Sequence, residues 1–90
     1  MADERLLTVE IADWEGQVWA GQGTFLTAPT VEGSVGIYPR HEPFLALLGN
    51  GEVKVDLPAG GAFRATVAGG FFSVDSDIVT IVTDDATVVE

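Results

Sequence analysis

Residues 52–70 read EVKVDLPAGGAFRATVAGG, and this stretch decides the fold. Val53, Val55 and Leu57 alternate with Glu52, Lys54 and Asp56, and Phe63, Ala65 and Val67 then alternate with Arg64 and Thr66. A period of two places each apolar set on one face of an extended strand. The PAGG between them is turn chemistry, so the stretch predicts two strands joined by a turn, each with one face to bury.

The same pattern extends in both directions. LLTVEIA (6–12) sets Leu7, Val9 and Ile11 against Thr8 and Glu10. A polar DWEG turn leads into QVWAGQ and GTFLTAP, which read as two more strands. GFFSVDSDIVTIVTDDATVVE gives three short strands broken at DSD and DD. Turn signals arrive about every ten residues, the spacing of a sandwich or barrel. No window of helical length carries an apolar stripe, and LALLGN (45–50) is too short and too close to Pro43 for a stable helix. The expectation is an all-β protein: two packed sheets of nine or ten short strands, one domain over residues 1–90, and no C-terminal helical hairpin.

Composition narrows the function. The 90 residues include 14 acidic and 4 basic side chains, a formal charge of −10. Such a surface repels phosphate backbones and anionic lipid, so neither nucleic acid nor a membrane surface is an expected partner. The chain has no cysteine, which removes disulfides, thiolate zinc sites and a cysteine nucleophile. MADERLLTVEIADWE carries acids where a signal peptide needs positive charge, and nothing approaches the roughly 20 apolar residues of a spanning helix. The expectation is a soluble protein that stays in the compartment where it is made, without direct membrane insertion.

Residues that could carry chemistry fail one by one. His41, the single histidine, lies in PRHEP; it and Glu42 point to opposite faces of an extended chain, and a catalytic zinc needs further ligands. No serine among Ser34, Ser73 and Ser76 sits in a G-x-S-x-G elbow. Asp75-Ser76-Asp77 and Asp84-Asp85 lack the twelve-residue loop and closing glutamate of a calcium hand and read as turns. Gly60-Gly61 and Gly69-Gly70 read as turn positions with positive φ rather than a phosphate loop. Lys54 is mid-strand, where a modified carrier lysine would sit at a hairpin tip. Trp14 and Trp19 read as core or edge packing, with a sugar platform as the alternative. No cofactor and no metal are expected, and the weight moves to a surface built to be bound.

Taken together, VEGSVGIYPRHEPFLALL (31–48), the EVKVDLP strand, VAGGFFSV and IVTIVTDDA resemble the ε subunit of F-type ATP synthases, in its N-terminal β-sandwich domain. The specific part is Gly33 to Pro43, and the likeness runs from Leu6 to Val89. It implies a non-catalytic subunit of the central stalk that couples c-ring rotation to the γ subunit during ATP synthesis. It also implies a peripheral position on the cytoplasmic face of the cell membrane, in a bacterial F1 sector. Carried over by position, Val31, Glu32, Gly33 and Ser34 face the c-ring loops, and Tyr38, Arg40, His41 and Glu42 face γ, with Pro39 stiffening that turn. The alternative is a stand-alone small-ligand or carbohydrate-binding sandwich using Trp14 and Trp19.

Three departures from the family pattern stand out. Ser34 replaces the acid common between the two glycines, leaving Glu32 as the candidate charge for a c-ring contact. Arg40 stands where glycine is frequent. Finally, many members continue into a two-helix region that inhibits ATP hydrolysis and can bind ATP. This sequence stops at Glu90, so neither property is carried over.

Overall fold

The computed structural model describes residues 5–89. Residues 1–4, on which part of the N-terminal reading rests, and residue 90, the last of the expected domain, lie outside the described residues. Ten strands follow one another: β1 (Leu7–Asp13), β2 (Gly16–Gly23), β3 (Phe25–Thr30), β4 (Gly33–Ile37), β5 (Phe44–Leu47), β6 (Asn50–Asp56), β7 (Ala62–Ala68), β8 (Phe71–Asp75), β9 (Ile78–Val82) and β10 (Ala86–Val88). No helix occurs among the described residues, in agreement with the expectation.

They form two five-stranded sheets, with strand orders β2-β1-β9-β8-β5 and β10-β7-β6-β3-β4. The stretch that opened the sequence reading is the β6–β7 hairpin, with Val53 opposite Ala65 and Val55 opposite Phe63. Every pairing is antiparallel except β1 with β9, where Val9 lies beside Val79. Alternation delivers the core as predicted: Leu7, Val9, Ile11, Val53, Val55, Ala65 and Val67 are all buried. Phe72, Val74, Val79 and Ile81 of β8 and β9 line the inner face of the same sheet as Leu7, Val9 and Ile11, and Leu26, Ala28 and Ile37 join Val53, Val55, Ala65 and Val67 on the facing sheet. A fully buried residue of this size contributes about 1.5–3 kcal/mol, and the shared inner face gives all of them the same reason to be there.

Two local features complete the closure. The β1–β2 register slips between Ile11 and Ala12, leaving Val18 as an extra residue. Through this bulge the consecutive Val18 and Trp19 both pack against the core, which strict alternation forbids. At the other feature, Gly70 turns the chain from β7 into β8 with φ of 106°, and a Cβ there would collide with the Val82 carbonyl. The second position of the Gly69-Gly70 turn thus admits glycine alone.

The two tryptophans part company. Trp19 packs as expected, stacked on Phe63 with centroids 4.4 Å apart and planes 7° from parallel. Trp14 does not: it sits in the tight turn between Asp13 and Gly16 and is 77% exposed. A two-residue connection leaves its side chain no neighbouring strand to lie on.

Candidate partner-binding surface

β4 and the loops at its two ends carry the residues singled out in the sequence. At its start, Val31 and Glu32 form the tip of the β3–β4 hairpin. Thr30 fixes this tip: its hydroxyl donates to the Gly33 carbonyl at 2.6 Å and accepts from the Glu32 N–H at 3.1 Å. Val31, Glu32, Gly33 and Ser34 are all exposed. They form one wall of a cleft of about 440 Å³ whose other wall is Phe44–Leu47 of β5. The Val31 N–H donates to the Leu47 carbonyl at 3.1 Å, stitching the two walls together at the base.

At the far end of β4, residues 38–43 cross to β5. The Tyr38 ring is exposed and lies 4.4 Å from the Phe25 ring. His41 is half-buried; its Nδ1–H donates to the Glu42 carbonyl at 2.7 Å, and its ring meets Phe44 edge-on at 5.7 Å. Phe44 in turn meets the core ring of Phe72 at 5.6 Å, so the imidazole rests on the core by way of one phenyl group. The Arg40 N–H donates to Asp77 Oδ1 at 2.6 Å. The structure therefore brings Tyr38, Arg40, His41 and Glu42 into one turn and Val31–Ser34 into another. With about 3.3 Å per strand residue, β4 holds the two turns about 15 Å apart.

Sequence reasoning missed a third element. Leu47, Phe71, Val82 and Ala12 are successive cross-strand neighbours on the outer face of the β2-β1-β9-β8-β5 sheet. Leu47 is 62% exposed, Leu45 beside it 72%, and Phe71 and Val82 are also open to solvent. This row lies at the Val31 end of the molecule. The signal was present in PFLALL and GFF: apolar residues at both parities of a strand leave one set facing outward whichever face is buried.

No group of three or more histidine, cysteine, aspartate or glutamate side chains close enough to hold a metal ion occurs among the described residues. Asp75, Ser76 and Asp77 instead make the β8–β9 turn, and Lys54 lies mid-strand with its Nζ 4.0 Å from Asp56. Trp19, stacked on Phe63 and lying over Gly21, shares no platform with Trp14. Among the described residues no helix is long and apolar enough to cross a membrane.

Two sheets closed on one apolar layer, with turns at either end and an uncovered apolar row, define a β-sandwich domain. Residues 6–89 match the family described as the ATP synthase delta/epsilon chain β-sandwich domain, and the chain belongs to that family. It is 48% identical to the ATP synthase epsilon chain of Micrococcus luteus, over 89% of this chain and 88% of that protein. The epsilon chain of Thermobifida fusca is 46% identical, with 100% of this chain and 68% of the relative covered. The Neisseria gonorrhoeae epsilon chain is 37% identical, and the chain spans 59% of its length. Among solved structures, a chain of the Euglena gracilis mitochondrial ATP synthase (OSCP/F1/c-ring) shares the fold with a TM-score of 0.86 at 22% identity, over 92% of this chain and 53% of that one. A chain of the Tetrahymena thermophila mitochondrial ATP synthase central stalk and c-ring gives a TM-score of 0.73 at 18% identity, over 96% and 69%.

Proposed function

We propose that this chain is a non-catalytic central-stalk subunit of a proton-translocating F-type ATP synthase, coupling rotation of the c-ring to the γ subunit. The observation that carries the reading is the family match over residues 6–89, together with epsilon-chain relatives that include one at 48% identity. The geometry supports it. A coupling element must hold two partners at a fixed separation, and here β4 spans two exposed turns from within a sheet. In this reading Val31, Glu32, Gly33 and Ser34 meet the c-ring loops, with the adjoining Leu45, Leu47 and Phe71 adding apolar area. Tyr38, Arg40, His41 and Glu42 meet γ. The complex lies on the cytoplasmic face of a bacterial membrane, with this chain peripheral to it.

The experiment is a binding titration of the chain with purified γ subunit and, separately, with a purified c-ring. Tyr38→Ala and His41→Ala are expected to weaken γ binding by about 1–4 kcal/mol, the range for buried interface residues, with melting temperatures unchanged. Glu32→Ala is expected to weaken the c-ring interaction alone. Wild-type γ affinity in both turn variants would show that γ docks elsewhere, and a chain that binds neither partner would overturn the function.

A further inference from the structure

Arg40, Ser76 and Asp77 are the non-glycine residues with positive φ among the described residues, at 72°, 53° and 65°. All three meet at one junction. Ser76 and Asp77 are the two central residues of the β8–β9 turn, where the twist of a hairpin favours positive φ at both positions. Arg40 faces that turn and donates its N–H to Asp77 Oδ1 at 2.6 Å. Arg5 Nη1 lies 3.4 Å from Oδ2 of the same carboxylate, and the Thr8 N–H donates to the Asp77 main-chain carbonyl at 2.8 Å. The Asp77 side chain is only 16% exposed. One residue thus joins the 38–43 turn, the β8–β9 turn and the start of β1.

A side chain with a Cβ occupies left-handed backbone only where the surroundings hold it there. Pro39 fixes its own φ and leaves that of Arg40 free. At the main chain, Arg40 is restrained by a short hydrogen bond to a carboxylate, a stronger acceptor than a neutral carbonyl. We infer that Asp77 is a positioning residue for the 38–43 turn: by binding the Arg40 N–H it keeps that residue left-handed and presents Tyr38, Arg40 and His41 to γ in one arrangement. This rests on the reading of that turn as the γ contact. It also explains how arginine is tolerated at a position whose backbone suits glycine.

The test pairs amide hydrogen exchange with γ titration for Asp77→Ala, Asp77→Asn and Asp77→Ala combined with Arg40→Gly. Asp77→Ala is expected to speed exchange of the Arg40 amide about tenfold or more, the scale of one charge-assisted hydrogen bond, and to weaken γ binding by a similar factor. The core amides of Val79 and Ile81 keep their wild-type protection. Asp77→Asn retains an Oδ1 acceptor and a side chain at ease in left-handed backbone, and it keeps most of both properties. Against an Arg40→Gly background, Asp77→Ala costs less γ affinity than it does in the wild type, because glycine needs no restraint there. Unchanged Arg40 exchange in Asp77→Ala overturns the inference. So does faster exchange with unchanged γ affinity, or a loss of protection spread equally over the core. Should Tyr38→Ala and His41→Ala also bind γ like the wild type, the fault lies in the site reading; if they bind weakly while Asp77→Ala does not, it lies with Asp77.

Discussion

Thr83 is the one polar side chain in the buried set of the described residues. Its hydroxyl lies 2.8 Å from the Gly69 carbonyl and accepts the Ala68 N–H at 3.3 Å and the Asp85 N–H at 3.4 Å. It therefore pins the end of β9 to the β7–β8 corner. Thr83→Val keeps the shape and removes the oxygen, taking a partner from the part-buried Gly69 carbonyl and from the Ala68 and Asp85 N–H groups. The expected cost is about 1–3 kcal/mol. In urea unfolding this lowers the midpoint with the slope unchanged, and an unchanged midpoint would show that water replaces the hydroxyl. Gly70→Ala at the same corner meets both a positive φ and the Val82 carbonyl, and its expected cost is about 3 kcal/mol or more in the same measurement.

At the scale of elements, β5 does two jobs with four residues. Phe44 and Ala46 pack toward the core while Leu45 and Leu47 stand outside. Replacing both outer leucines by serine is expected to change stability by less than about 0.5 kcal/mol, since little buried area is lost. The same double variant weakens association with a γ–c-ring subcomplex by more than about 1 kcal/mol if the apolar row is part of the contact. Equal binding, read by co-sedimentation, removes the row from the interface. β5 also marks where sequence reading reaches its limit. Strands with one solvated face, such as 6–12 and 52–58, announce themselves by alternation. A strand that is apolar on both faces cannot, so PFLALL gives neither its conformation nor its exposed side. The bulge at Val18 is invisible for a related reason, because it breaks the period that reveals strands. The two turns of the site are legible as turns through Gly33, Pro39 and Pro43, whereas their partners come from family resemblance. The Arg40–Asp77 bond is not legible at all: its ends lie 37 positions apart in the sequence, and no local pattern pairs them.

At the scale of the molecule, a net charge of −10 sits on a body measuring 40 × 27 × 21 Å. At about 10 mM salt the screening length is roughly 30 Å, so most of these charges feel one another; at about 150 mM it falls to roughly 8 Å. The folded state, which crowds them, is expected to gain stability as salt rises through that range. Thermal melts at a series of sodium chloride concentrations check this, and a melting temperature that falls with salt would mean that specific ion pairs outweigh the general repulsion. The parallel pairing of β1 with β9 has a consequence of another kind. Val9 waits for Val79, so the centre of one sheet is assembled from the first and the ninth strands. During synthesis on a ribosome the β3–β4 and β6–β7 hairpins are complete before β9 emerges, while β1, already paired with β2, waits for its other neighbour. Until residues 78–82 are added, the nascent chain carries one sheet without its central strand, and the apolar face which that strand covers stays open.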